Sequence, residues 1–229
     1  MFGGQINMTG ATILSAEAAL RVGVGSVKII CSKKTLPIYS SKFPSSLKEV
    51  IINLRSLKKL IIKEKDSVFL IGPGAGSSQQ TKERTKLILK NSKYAIIDAD
   101  ALTCFKTKPR ELYKLLDKNK IITPHIKEFH TIFPSINKKI SHYEKIINAS
   151  RLCECTIVLK GTNTLICSQL GKVVVNKHAS SELAVIGSGD VLSGIISSLV
   201  GKNKLNTFLS SCAGVWIHGD IARKFGPGL

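Results

Sequence analysis

The sequence predicts an α/β fold in three αβα layers, a mostly parallel central sheet with helices on both faces. Two observations predict it. Short apolar runs of strand type alternate along the chain with longer segments whose apolar residues recur at helical spacing. The glycine-rich, hydroxyl-bearing and acidic stretches fall at the carboxyl ends of those runs, the edge on which open parallel sheets bind ligands. The 229 residues, 43% hydrophobic and 21% charged, suffice for one sizeable core or at most two small ones. No linker or internal repeat divides them, so residues 1–229 are expected to form a single domain.

The elements follow in order. Phe2-Gly3-Gly4-Gln5 is a glycine turn, and residues 10–22 read as a helix through Ile13, Leu14, Ala18 and Val22. Gly23 or Gly25 ends it, and residues 26–31 make a short strand. Residues 32–46, with Pro37 and Pro44, read as a polar loop, and residues 47–62 as a helix rich in Ile, Leu and Lys. Residues 67–71 form a buried strand that runs into Gly72-Pro73-Gly74-Ala75-Gly76, after which Ser77 caps a helix over 79–90. Residues 94–98 are the next strand, ending in Asp98-Ala99-Asp100-Ala101-Leu102. A helix near 110–116 precedes a strand at 120–122 that ends in Thr123-Pro124-His125, and helical segments follow to about Cys153. Residues 156–159 deliver Lys160-Gly161-Thr162, and residues 163–168 and 172–176 read as a hairpin around Leu170-Gly171. A small-residue helix over 191–200 and a last helix over 205–224 complete the chain.

Gly187-Ser188-Gly189-Asp190 is the stretch on which the chemistry turns. A glycine-rich turn opening a helix leaves backbone N–H groups without intrahelical partners at the positive end of the helix dipole. That arrangement suits a phosphate or a developing negative charge. An Asp in its middle is unfavourable there unless it removes a proton from a hydroxyl, although Asp is also a good N-cap. Five polar signatures on one sheet edge favour the catalytic reading.

The other signatures each carry a plain alternative. The Gly72 loop admits close backbone approach to a phosphate- or ribose-bearing ligand, yet three glycines after a strand also make a tight turn. It matches neither the dinucleotide fingerprint nor the P-loop. Lys160, Gly161, Thr162, Asn163 and Thr164 offer a cation with hydroxyl and amide groups for a nucleotide, or simply lead into the hairpin. His125 lies on the ligand edge or serves as a surface hydrogen-bonding residue. Asp98 and Asp100 alternate along a strand, so only one is expected to face the cleft, in a supporting or magnesium-linked role or a plain turn.

Together these stretches resemble the ADP/ATP-dependent NAD(P)H-hydrate dehydratase family, a branch of the ribokinase-like fold. Thr9-Gly10-Ala11, the Gly72 loop, Asp98-Ala99-Asp100-Ala101-Leu102, Thr123-Pro124-His125-Ile126-Lys127-Glu128, Val158 through Thr164 and Gly187 through Leu192 occur in the family's order. The resemblance implies repair of hydrated NADH and NADPH: a nucleotide phosphorylates the hydroxyl on the nicotinamide ring, and loss of phosphate restores the double bond. It implies Asp190 as the base, with Gly187, Ser188 and Gly189 forming the anion hole. Lys160, Gly161, Thr162, Asn163, Thr164 and Gly189 would contact ADP or ATP. Ala11, Gly74, His125 and Asp190 would contact the hydrated dinucleotide. Magnesium is expected with the phosphates, with no protein ligand set assigned to it. Homo-oligomers are expected, and an epimerase encoded separately is the implied partner.

The sequence departs from the family at three places. Ser180-Ser181-Glu182-Leu183-Ala184 replaces its Asn-Pro-Gly-Met-Ala, its usual first strand has no counterpart before Met1, and the chain stops at Phe225-Gly226-Pro227-Gly228-Leu229 where relatives continue. The domain is therefore expected to be trimmed at both ends. The alternatives are a ribokinase-like kinase of a small vitamin-precursor alcohol and an inactive, truncated remnant.

Composition narrows the setting. No apolar run approaches the roughly 20 residues of a membrane span, and Met1 to Gln5 has no basic leader, so a cytoplasmic protein without membrane contact is expected. The net charge of +19 comes mainly from Lys, 28 of the 34 basic residues, spread through polar segments with few aromatics. That distribution argues against nucleic acid, which favours clustered Arg. The six cysteines match no zinc or redox spacing and read as free thiols.

Overall fold

The computed structural model describes residues 1–178, 181–203 and 206–226. Ser180, Leu205 and residues 227–229, which entered the expectations above, lie outside the described residues.

The chain opens with α1 (Thr9–Val22), ended by Gly23 in the left-handed conformation, then β1 (Lys28–Cys31), α2 (Leu36–Lys42), β2 (Leu47–Val50) and α3 (Leu54–Lys63). Next come β3 (Val68–Ile71), α4 (Gln79–Asn91), β4 (Tyr94–Ile97), α5 (Ala99–Thr103), α6 (Pro109–Tyr113), β5 (Lys120–Ile122), α7 (Ile126–Ile132) and α8 (His142–Cys153). Then β6 (Thr156–Leu159), β7 (Thr164–Cys167) and β8 (Val173–Asn176) precede a 3₁₀ turn at Ser181–Leu183, α9 (Ser188–Asn203) and α10 (Thr207–Phe225).

The main sheet has the order β3-β4-β5-β6-β7-β8, parallel from β3 to β6 and antiparallel across the two hairpin pairings. Strands β3 to β7 are buried on both faces, as a sheet covered on both sides requires, whereas β8 at the edge is partly exposed. Phe69, Ile71, Ala95, Ile97, Ile122, Ile157 and Leu159 face a core completed by α3 to α8. Leu70, Ile96, Ile121 and Val158 face the opposite way, against Leu192, Ile196 and Val200 of α9 and Phe208 and Val215 of α10. Each such buried Ile, Leu, Val or Phe side chain contributes about 1.5–3 kcal/mol relative to exposure. The alternation thus yields the three expected layers.

β1 and β2 pair in parallel as a separate small sheet beneath α1 and α2. Phe2 joins the two sheets. Its N–H donates to the Leu70 carbonyl at 2.8 Å, the Gly3 N–H donates to the Ile30 carbonyl at 2.7 Å, and the Ile30 N–H donates to the Met1 carbonyl at 2.8 Å. The turn is therefore not without strand pairing ahead of it: one rung is present, lying parallel to Ile30. Beside that rung is a cavity of about 530 Å³ bounded by Met1, Val27, Lys28, Ser67 and Val68.

Three expectations need correction. Residues 32–46 contain α2, because Pro37 sits in the first turn, where a missing N–H costs nothing, and Tyr39 is fully buried. Residues 47–62 split into β2 and α3, since Asn53 and Ser56 form a reciprocal capping box that starts the helix late. Ser78, not Ser77, caps α4, its Oγ accepting from the Thr81 N–H at 3.1 Å.

Candidate functional site

Strand register builds the site edge. Ile71, Ile97 and Ile122 are aligned neighbours, so the residues that follow them, Gly72, Asp98 and Thr123, leave the sheet side by side. The Asp98 N–H donates to the Ile71 carbonyl and the Thr123 N–H to the Ile97 carbonyl, both at 3.1 Å. One strand further on, Lys160 pairs with His125 in an isolated bridge, its N–H donating to the Pro124 carbonyl at 2.9 Å. The four separate signatures of the sequence thus become one ledge.

β4 stops at Ile97, so Asp98 and Asp100 do not alternate across a strand. Asp98 is the N-cap of α5 and Asp100 lies in its first turn, and both act on the cleft. Ala99 between them has φ +44°, a left-handed conformation that costs a residue with a Cβ about 1 kcal/mol or more. The Asp98 carboxylate is 2% exposed and accepts a hydrogen bond from the Lys160 ammonium at 2.7 Å. Asp100 Oδ2 accepts from the Gly76 N–H at 2.8 Å, tying the Gly72 loop to the same ledge.

α9 brings Asp190 to it. Gly187, at φ +95°, turns the chain into the helix, where a side chain would meet Leu14. The first bond of the helix runs from the Val191 N–H to the Gly187 carbonyl at 3.0 Å, leaving the Gly189 and Asp190 N–H groups ahead of it. Ser188 Oγ donates to the Leu183 carbonyl at 2.7 Å, fixing the turn. The Lys160 ammonium lies 3.5 Å from where a Cβ on Gly189 would stand, so cation and helix N-terminus converge.

The charges in this cluster shape one another. Burial, reinforced by the Asp98 and Asp100 carboxylates, pushes Asp190 from 3.8 up to about 6, against the opposing pull of Lys160. Burial would lower the Lys160 ammonium, but Asp98 and Glu128 outweigh it and hold the group above its ordinary value. Burial likewise raises Glu128, with Lys160 opposing. Glu128 belongs to a capping box in which the His125 N–H donates to its Oε2 at 2.8 Å and His125 Nδ1 accepts from the Lys127 and Glu128 N–H groups.

A cavity of about 480 Å³ opens from this ledge toward α10. His125, Lys160, Gly161, Thr162, Thr164, Ser188 and Gly189 line its polar side. Leu183, Ala184, Leu192 and Val215 make an apolar wall that also includes His218. Burial lowers His218 to about 4, so its ring is neutral at pH 7, and a hydrogen bond to the Ser188 backbone offsets this only partly. Asn163 is exposed and is not among the lining residues. Ala11 and Gly74 meet on the other side of the cleft. At φ +64°, Gly74 would place a Cβ 2.4 Å from the Met8 carbonyl oxygen and 3.3 Å from the Ala11 Cβ.

Sequence reasoning missed Glu128 as a member of the charge cluster, although it sits in the quoted Thr123-to-Glu128 stretch with a capping-box spacing. It also missed His218 and Val215. They arrive from a helix packed across the sheet, and no local pattern marks them.

Among the described residues no three His, Cys, Asp or Glu side chains are grouped to hold a metal ion. The site can accept a proton at Asp190, neutralise phosphate oxygens with Lys160 and the α9 N-terminus, and take a flat apolar group against the α10 wall.

Comparison with known proteins covers this whole arrangement. The profile of the family described as NAD(P)H-hydrate dehydratase matches residues 1–226. The ADP-dependent (S)-NAD(P)H-hydrate dehydratase of Neisseria meningitidis serogroup B is 32% identical over 96% of this chain and 74% of its own length. Bifunctional NAD(P)H-hydrate repair enzymes also match, among them that of Coxiella burnetii at 30% identity, and the chain spans 98% of itself but 45% of that protein. In structure, a ribokinase-like superfamily protein of Enterococcus faecalis superposes with a TM-score of 0.82 at 24% identity, covering 98% of this chain and 78% of that one. The ADP/ATP-dependent NAD(P)H-hydrate dehydratase of Bacillus subtilis, crystallised with ATP and Mg2+, superposes with a TM-score of 0.80 at 23% identity over 98% and 81%.

Proposed function

The chain belongs to the NAD(P)H-hydrate dehydratase family and has its ribokinase-like fold, and from that premise we propose that it dehydrates the S-epimer of hydrated NADH and NADPH at the expense of ADP or ATP. The observation that carries the reading is the placement of Asp190. It is a carboxylate held near neutrality in the first turn of α9, between free backbone N–H groups and Lys160.

The ionised Asp190 takes the proton of the ring hydroxyl, whose oxygen then attacks the terminal phosphorus of the nucleotide and displaces ADP from ATP, or AMP from ADP, as the bridging P–O bond breaks. The Gly189 and Asp190 N–H groups and Lys160 bear the charge that builds on the transferred phosphoryl group, with Gly187 and Ser188 shaping the turn. The phosphate ester is the better leaving group. Phosphate departs, a proton leaves the neighbouring ring carbon, and the double bond returns.

The nucleotide occupies the cavity lined by Lys160, Gly161, Thr162, Thr164 and Gly189, its base against Leu183, Val215 and His218. The dinucleotide lies on the Ala11 and Gly74 side, with His125 on the shared rim. Magnesium, which binds phosphates and water readily, would be held by the phosphates of the bound nucleotide and would neutralise their charge there.

Residues 1–226 act as one dehydratase domain in this reading, and the partner we propose for it is an epimerase of the hydrated dinucleotides. Exposed Leu209, Trp216, Ile221 and Phe225 on α10 support assembly into homo-oligomers. The six free cysteines support a reducing, cytoplasmic setting, and no helix among the described residues is long and apolar enough to cross a membrane.

The test mixes purified protein, hydrated NADH, magnesium and either ADP or ATP, and follows recovery of the reduced nicotinamide absorbance. Nucleotide-dependent recovery is expected. A stable phosphorylated alcohol without recovery would remove the dehydratase reading and leave a kinase.

A further inference from the structure

A second polar pocket lies behind the glycine turn, and the chemistry above does not use it. Its volume is about 250 Å³, and Gln5, Ser32, Lys34, Thr35, Ser78 and Arg84 supply its polar lining. Among the described residues no carboxylate lines it. Arg84, half-buried on α4, lies with its guanidinium carbon 4.8 Å from the centre of the Phe2 ring. Among the described residues it meets no acid and no hydrogen-bond acceptor, so a delocalised cation stands desolvated on one face and unpaired on the other.

The pocket adjoins the substrate side of the cleft and not the nucleotide side. The Gln5 N–H donates to the Gly74 carbonyl at 2.8 Å, and the Gln5 side chain fills the space where a Cβ on Gly76 would stand. Gly76 is bonded to Asp100, one of the carboxylates that acts on Asp190. None of the residues lining this pocket lines the nucleotide cavity. A fixed guanidinium, a neighbouring ammonium and several hydroxyl and amide donors, with no anion of their own, are the complement of a phosphate group.

We infer that this pocket is a phosphate-binding subsite for the part of the dinucleotide remote from its hydrated ring, with Arg84 and Lys34 as its cations. The inference rests on the dehydratase reading for the identity of the ligand. A hydrated dinucleotide carries a pyrophosphate, and the NADPH form carries a further phosphate on its adenosine ribose. The subsite takes one of these two.

The test uses Arg84→Met, which keeps an apolar stem over Phe2, together with Lys34→Met, an exposed position whose change leaves the fold intact. With the nucleotide cavity saturated by a non-hydrolysable ATP analogue, adenosine 2′,5′-bisphosphate is titrated calorimetrically. The double variant should bind it about tenfold more weakly, the loss that corresponds to one charge-assisted contact, and Lys34→Met alone should weaken it by a smaller factor. In turnover, a raised KM for both hydrated dinucleotides assigns the pyrophosphate to the subsite. A raised KM for hydrated NADPH alone assigns the ribose phosphate. In either case the KM for ATP stays put. Unchanged bisphosphate affinity with both KM values unmoved would overturn the inference while leaving the dehydratase standing. Arg84-dependent bisphosphate binding in a protein with no turnover would do the reverse.

Discussion

If Asp190 is the base, the enzyme must lose activity in acid at a pH that no ordinary carboxylate would set. Burial and the two neighbouring aspartates move the group from 3.8 to about 6, and a base works only when ionised. Activity is therefore full above that value and is lost as pH falls through it. A group titrating at about 6 is some nine-tenths ionised at about pH 7 and one-tenth at about pH 5, so kcat/KM should fall about tenfold over that interval. The assay is dehydration of hydrated NADH under subsaturating substrate and saturating ATP, with the fold checked at each pH by circular dichroism. Asp98→Asn sharpens the test. It removes the largest charge that raises Asp190 and leaves Lys160 uncompensated, so the acid limb should move to lower pH. Asp190→Asn should depress turnover by at least about a hundredfold while nucleotide binding survives. A profile flat down to about pH 5, or a limb that ignores Asp98→Asn, would refute the assignment of the base.

Three other substitutions probe how the ledge is held. Lys160→Met should raise the KM for nucleotide and, by stranding the buried Asp98 carboxylate, lower stability by about 3 kcal/mol in urea titration. Adding Asp98→Asn to that chain should recover most of the stability, and failure to do so would show that the pair is not the source. Ala99→Gly relieves a left-handed backbone at φ +44° and should raise stability by about 1 kcal/mol, a gain that thermal melts would register and a loss would contradict. Gly194→Ala would place a methyl 2.1 Å from the Ser15 carbonyl oxygen, forcing α1 and α9 apart. It should cost about 2 kcal/mol and reduce kcat as Asp190 shifts, whereas wild-type kinetics would show that the helix contact does not position the base.

The parts of this picture legible in the sequence are those that depend on neighbours in the chain. Strand runs such as residues 68–71 and 94–97 carry their own apolar signal, and the Gly187 turn announces a helix start before any fold is known. The region between residues 32 and 62 misleads because its cues conflict. Pro37 suggests a loop yet serves the first turn of α2, and the Lys-rich pattern after Leu47 hides an edge strand that pairs with β1. At Asp98 and Asp100 one residue of strand length decides the outcome: β4 ends at Ile97, so the alternation expected of a strand does not separate the two side chains. Glu128, His218 and Arg84 gain their meaning from long-range neighbours: Lys160, the α9 turn and Phe2. No window of sequence contains those pairs.

The single rung at Phe2 has a mechanical consequence. The six-stranded sheet is laced by continuous ladders, but among the described residues the backbone bonds that join the small β1–β2 sheet to it run through the N-terminal segment, at Met1, Phe2, Gly3 and Gln5, beside a cavity. Local opening begins where buried contacts and hydrogen bonds are fewest. Deuterium should enter the Phe2, Gly3 and Ile30 amides long before those of β4. Gly4, one residue on, donates its N–H to Thr12 and Tyr39, and Gln5 grips Gly74, so the seam unfastens the dinucleotide side first. The cleft has one bank anchored in the main sheet and one on a hinge.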